Sequence, residues 1–329
     1  MLEELPLASP GFSEPLDWWQ QTFPQGRQLL QIEDANGDEV SIAYGTIGSG
    51  QPLLLLHGIG SWSYNWRFSI PALAQHFRVI CLDAKGYGFS QSYHRSEQVG
   101  HQVRELGQMI QQVADRPVWI AAESLGALTA LALAQTAPEL IDRLIVINVP
   151  IFPHKLPSFG MQFVASLPLP IVRWVDQQRW IRPFAPIVKA VTRQIRREVV
   201  VDPTQTSEVD LYWLTYPYLN LPGSLTQFAT DLQLAAREIQ RYHQGQPNWI
   251  STIQQNLARI HCPTLVLWSD CDRWFPPTDG QRLADQLPNA QFQLIPNCGH
   301  VASSGNPTAV NAAILRFADT EILSQIDPG

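Results

Sequence analysis

The chain reads as an α/β fold: a mostly parallel central sheet flanked by helices, with an inserted helical cap. Three observations carry this. First, four continuous apolar runs, "QPLLLLHG", "FRVICLD", "RPVWIAAE" and "DRLIVINV", alternate with helix-patterned stretches before Val149. Apolar runs without alternation are expected of strands buried on both faces, and strand alternating with helix implies parallel pairing through right-handed crossovers. Second, the rhythm stops after Val149 and returns only at "CPTLVLWS", which begins at Cys262. So long a gap is not one crossover. Third, the gap is rich in Pro, Trp and Arg with mostly helical patterning, and the alternation resumes after it. The expected divisions are 1–149 and 262–329 for the two parts of the core and 150–261 for the cap.

Taken in order, "RQLLQI" and "EVSIAYG" flank "ANGD" and read as a hairpin, Asn36-Gly37 being a strong turn signal. Helices are expected at about 65–75, 97–114 and 125–137. Beyond the cap follow a strand at 263–269, a helix at 278–287, a strand at 291–295 and a last helix at about 306–325.

The 329 residues suffice for one large domain with an insertion, and 45% hydrophobic with 16% charged residues is a globular composition. A net charge of −7 argues against nucleic acid as a partner. Cys81, Cys262, Cys271 and Cys298 form no C-x-x-C, so reduced thiols in a cytosol are expected, with a Cys271–Cys298 bridge as the alternative. The opening "MLEELPLASPGFSEPLDWW" is acidic and broken by proline, unlike a signal peptide. No window offers about 20 unbroken apolar residues.

Reactive groups of an open parallel sheet gather at the carboxyl ends of its strands. His57-Gly58, Asp83, Ser124, Asp270 with Asp272, and His300 all fall there, giving the order Ser…Asp…His. Together with "LLLHGIG", "DAKGYGFS", "AESLGA", "LWSDCDRWFP" and "PNCGHVASSGNP", this order resembles the helical-cap group of the α/β-hydrolase fold superfamily, over roughly residues 25–325.

The resemblance implies Ser124 as a nucleophile on a strained strand-to-helix elbow, where small neighbours are needed. Gly126 fits the family's G-x-S-x-G; Ala122 departs from it by one methyl. It implies His300 as the base and, from the G-x-x-D frame with a proline four residues on (Pro276), Asp272 rather than Asp270 as the acid. The oxyanion would be met by the backbone N–H groups of Ile59 and Leu125. His57 and "DAKGYGFS" are expected to be structural, and Glu123 to be hydrogen-bonded on the side away from Ser124. Haloalkane dehalogenases and epoxide hydrolases of this architecture carry aspartate where this chain has Ser124. Carboxylic ester hydrolysis of a lipophilic substrate through an acyl-enzyme is therefore expected. Carbon–carbon bond hydrolysis or thioester hydrolysis on the same residues is the alternative, and a non-catalytic ligand-binding member is a third reading. No metal or organic cofactor is implied, and the partner expected is a small apolar ester.

Trp62, Trp66 and Trp274 are candidates for the pocket wall. Trp174, Trp180, Trp213, Trp249, Phe159, Phe163, Phe184 and Phe228 could line it too, or pack the cap. Residues 156–172 carry no charge, whereas 173–197 hold seven basic side chains and one acid, Asp176. On a helix, Ile187, Val188, Val191, Ile195 and Val199 share one side and Lys189, Arg193, Arg196 and Arg197 the other. Two readings follow. The apolar side packs on the core with the basic side in water, or the cap rests on an anionic membrane surface. The protein is expected to be cytoplasmic, with peripheral membrane contact in the second case.

Overall fold

The apolar runs find their backbone partners in one eight-stranded sheet, ordered β1-β2-β4-β3-β5-β6-β7-β8. The computed structural model describes residues 16–92 and 98–326. After α1 (Trp18–Thr22), the hairpin β1 (Gln28–Glu33) and β2 (Glu39–Ile47) adds antiparallel to the edge of β4. The other pairings are parallel. They join β3 (Pro52–Leu56), β4 (Arg78–Leu82), β5 (Val118–Glu123), β6 (Ile141–Ile147), β7 (Thr264–Ser269) and β8 (Ala290–Ile295). α2 (Ile70–Leu73), α3 (His101–Val113) and α4 (Leu125–Thr136) connect strands of the first half. α5 (Phe159–Ser166), α6 (Leu169–Gln177), α7 (Ala185–Val199), α8 (Glu208–Asn220), α9 (Ser224–His243) and α10 (Trp249–Gln255) lie between β6 and β7. α11 (Pro277–Ala284), α12 (Ala302–Gly305) and α13 (Pro307–Ile326) complete the order.

Every residue of β3, β5 and β7 is buried. Strand side chains alternate between faces, so each run feeds two cores. Leu54, Ile120, Val146 and Val266 meet α3, α4 and α11 on one face, while Leu53, Leu55, Ile145 and Leu265 meet α1, α2 and α13 on the other. This is why the runs are unbroken rather than alternating. The stretch expected as one helix at 65–75 is instead a 3₁₀ turn, Ser63–Trp66, followed by the four-residue α2. Its start is tied down from outside: Asp83 accepts from both the backbone N–H and the hydroxyl of Ser63, at 2.8 and 2.6 Å. The last helix, expected at about 306–325, is α13 (Pro307–Ile326), preceded by the short α12.

"DAKGYGFS" is a turn built around buried charge. Asp83 also accepts from the N–H of Phe89, and Gly88 (φ 51°) passes so close to its carboxylate that a Cβ would stand 2.1 Å from Oδ2. Lys85 is buried between Asp34 (3.1 Å) and Glu105 (2.6 Å), tying the turn to the β1–β2 connection and to α3. Cysteines 81, 262, 271 and 298 are free thiols, so Cys271 and Cys298 are not bridged; their loops meet by a backbone hydrogen bond of 2.9 Å.

In the cap, α5 and α6 pack on α9 and α7 packs on α8. Asp176, the one acid among the basic residues of 173–197, is buried. It accepts from the N–H of Gly223 and from the N–H and hydroxyl of Thr226, holding the start of α9. The expected orientation of α7 does not hold. Ile187 and Val191 are exposed, and Arg196, placed on the outward basic side, is only 7% exposed. The cause lies at the C-terminal turn. Val199 and Arg196 are drawn inward together, Arg196 donating to Thr206 Oγ1 and Ser304 Oγ.

Replacing Lys85 by methionine leaves two buried carboxylates facing each other without a cation. Loss of one partner from such a group costs about 3–5 kcal/mol. Urea unfolding of the variant should show a lower midpoint with an unchanged slope, and an unchanged midpoint would contradict the buried network.

Candidate active site

Ser124 stands between β5 and α4 with φ 54° and ψ −122°, a region that costs a non-glycine residue about 1–3 kcal/mol. The elbow is held by close approach on both sides. A Cβ on Gly126 would stand 2.4 Å from the carbonyl oxygen of His57, and one on Gly58 would stand 2.9 Å from Ser124 Cβ. Ala122 is fully buried within β5, opposite Leu56 and Val146, so the methyl that departs from the expected glycine is accommodated in the core. Ser124 makes no side-chain cap on α4. Its hydroxyl instead lies 3.0 Å from His300 Nε2.

His300 Nδ1 donates to Asp272 Oδ2 at 2.8 Å. The other oxygen of Asp272 accepts from the N–H groups of Trp274 and Phe275, at 2.8 and 3.1 Å. All three side chains are buried. Asp270, the alternative acid, turns away and accepts from the N–H groups of Asn297 and Cys298. Leu125 is the first residue of α4, and first-turn N–H groups have no acceptor within their helix. Ile59 follows Gly58 on the far side of Ser124, and Ile59, Leu125 and Ser124 line one cavity.

That cavity is walled largely by apolar side chains, among them Leu128, Leu156, Met161, Leu232, Trp249 and Trp274. Trp274 is at the expected place, its ring 4.6 Å from that of His300. Trp62 and Trp66 are not part of this wall. The pinned turn at Ser63 sends both rings to the opposite face of the sheet, where Trp62 packs with Trp18, Trp19, Tyr64 and Trp213. Phe159, Phe163, Trp174, Trp180 and Phe184, expected to line the pocket or pack the cap, are exposed. Asp231 and Gln102 also line the cavity, and Asp231 accepts from Tyr87 Oη, Gln102 Nε2 and Gln227 Nε2. Among the described residues no group of three or more His, Cys, Asp or Glu is placed to hold a metal ion.

Several supporting residues carry no motif in the sequence. Asn148, in the left-handed region at φ 49° just past β6, donates to the carbonyl of His300 (2.6 Å) and accepts from the N–H of Ser269. A non-glycine residue at positive φ is most often Asn or Asp, so an asparagine ending an apolar run is the available signal. Glu123 points away from Ser124 and accepts from Asn65 Nδ2 (2.8 Å) and from the N–H and hydroxyl of Ser303. Burial raises its pKa. The next residue, Ser304, accepts from Arg196, whose guanidinium burial pulls down to about 10. The loop after His300 is thus gripped from below by a buried carboxylate and from the cap by a buried cation.

The chain matches the alpha/beta hydrolase fold family over residues 51–307 and belongs to it. It is 25% identical over 292 residues to the 2-hydroxy-6-oxo-6-(2'-aminophenyl)hexa-2,4-dienoic acid hydrolase of Metapseudomonas resinovorans, covering 86% of this chain and 89% of that one. It is 24% identical over 322 residues to Bifunctional epoxide hydrolase 2 of Mus musculus, covering 87% of this chain but only 57% of that longer protein. In structure it superposes on a thermophilic esterase from Thermogutta terrifontis with a TM-score of 0.66 at 22% identity, over 89% of this chain and 98% of that one. The hydrolase fold and its enzyme relatives support a hydrolase acting on a small molecule.

His57 is a structural residue of the site. Its Nε2 accepts from the N–H of Ala84 (3.0 Å), so Nδ1 carries the proton and donates to the carbonyl of Gly58 (2.8 Å). Burial lowers its pKa from 6.5 to about 4. Between these values the unfolded chain binds a proton that the folded one refuses. Its contribution to stability is therefore complete above pH 6.5 and is lost as the pH falls towards 4. Nitrogen-detected NMR at about pH 5.5 should find His57 neutral and protonated on Nδ1; an imidazolium signal there would contradict this assignment.

Proposed function

We propose that the protein is a serine hydrolase that cleaves a carboxylic ester of a lipophilic substrate through an acyl-enzyme on Ser124. One observation carries the reading: the hydrogen-bonded chain from Ser124 Oγ through His300 (3.0 Å) to Asp272 (2.8 Å). In the proposed reaction Oγ attacks the acyl carbonyl while His300 Nε2 takes the hydroxyl proton. The tetrahedral oxyanion is met by the N–H groups of Ile59 and Leu125. Collapse expels the alcohol, which takes the proton from His300, and water then repeats the sequence on the acyl group. Asp272 fixes the ring with its Nδ1–H turned inward and stabilises the imidazolium.

Residues 150–261 serve as the cap in this reading, because Leu156, Met161, Leu232 and Trp249 from that segment close the cavity over Ser124. The apolar wall supports an apolar acyl or alcohol group. The serine in the elbow sets this chain apart from the expectation for epoxide hydrolases, which place aspartate there. Hydrolysis of a carbon–carbon bond next to a carbonyl is the second reading, favoured by the likeness to the dienoic acid hydrolase, and it would use the same three residues.

A fluorophosphonate probe should label the protein once, at Ser124. Ser124→Ala should abolish labelling and lower nitrophenyl ester turnover by about 10⁴-fold or more, and Asp272→Asn by about 10⁴-fold. Asp270→Asn should keep most of the rate. Wild-type turnover by Ser124→Ala would end the mechanism, and turnover of a vinylogous diketone without any ester would promote the second reading.

A further inference from the structure

The cap carries more exposed apolar side chains than a free surface needs. Phe159 and Phe163 on α5 are 83% and 56% exposed, Ile171 and Trp174 on α6 59% and 51%, and Ile187 and Val191 on α7 59% and 51%. Trp180 and Phe184, between α6 and α7, are exposed as well, and the rings of Trp174 and Trp180 lie 5.0 Å apart. Scattered single apolar residues are ordinary on a protein surface, but a series of this density on three successive helices marks an interaction site.

The charges of 173–197 are mostly basic, and the exposed carboxylate of Glu208 on α8 pairs with Arg193 at 2.6 Å. Arg193 and Arg197 of α7 are exposed, and Arg173, Arg179 and Lys189 are partly exposed. Asp176 is withdrawn into the cap, as described above. Within 173–197 the outer surface is thus left without a carboxylate, in a chain whose net charge is −7. Aromatic and aliphatic side chains flanked by arginine and lysine match the layered chemistry of an anionic bilayer, whose headgroups attract cations and whose acyl boundary takes up apolar rings. No helix among the described residues is long and apolar enough to cross a membrane, so the contact is in the plane of the surface.

The patch also lies next to the cavity. Met161 lines the cavity with Ser124, and its neighbours on α5, Phe159 and Phe163, face outward. One helix therefore separates the outer apolar surface from the inner one.

We propose that α5, α6 and the exposed side of α7 form a docking face for an anionic lipid surface. The docking does not depend on the chemistry of Ser124, so the test reads binding alone. The intact protein is sedimented with phosphatidylcholine vesicles, with and without phosphatidylglycerol, at low and high salt. Recovery should be high on the anionic vesicles, low on the neutral ones and reduced by salt. Arg193→Gln with Arg197→Gln should weaken binding to anionic vesicles about tenfold or more. Phe159→Ser, Phe163→Ser and Trp174→Ser together should abolish it, with the melting temperature of each variant confirming the fold. Equal recovery on both vesicle types, or recovery on neither, would overturn the proposal. So would a lipid-free dimer that the triple serine variant dissociates, because the face would then belong to a second copy of the chain.

Discussion

The site depends on a strained backbone at Ser124. Its φ of 54° is tolerated because strand and helix are clamped around it, with Gly58 and Gly126 in contact distance of their neighbours. The energy for this comes from the layers beneath. β3 and β5 are buried along their whole length, and α4 is nearly all apolar between them and the outer helices. Burial on both faces therefore secures the core and also keeps one hydroxyl standing clear of the sheet.

A second convergence lies at the loop that carries His300. It receives a hydrogen bond from Asn148 just past β6, donates to Glu123 through Ser303, and accepts from Arg196 through Ser304. These partners come from the centre of the sheet, from the residue beside Ser124, and from the cap. The position of the imidazole is thus shared among elements more than 100 residues apart in the chain. Buried polar groups of this kind are costly when one partner is lost, which makes the loop a rigid platform rather than a mobile arm.

The core strands and the residues near Ser124 were legible because their constraint is local. A short unbroken apolar run such as "PLLLL", repeated in alternation with helical patterns, reads as a doubly covered strand, and the resemblance put Ser124 on the elbow that follows one. Asp272 over Asp270 followed from the resemblance, whose G-x-x-D frame with a proline four residues on falls on Asp272 and Pro276, and the structure brings Asp272 to His300. The cap was less legible. Helical periodicity placed Arg196 outside with Arg193 and Arg197, since a helical wheel cannot know that Ser304, distant in sequence, offers a partner. Trp62 and Trp66 failed for a related reason. Their nearness in sequence to the loop at Ile59 did not reveal that Asp83 turns the chain away at Ser63. Asn148 carried only the weak cue of an asparagine after a strand.

The burial of Arg196 makes the cap asymmetric. One end, at the last turn of α7, is stapled to the loop of His300 both by the guanidinium and by the backbone bond from Val301 to Val199. Moving that end would drag the imidazole with it. The other end, α5 and α6, packs on α9, with Asp176 of α6 also bonded to its start. The two ends of this segment are therefore secured differently: the last turn of α7 by polar bonds to the residues that carry and follow His300, and α5 by apolar contact with α9.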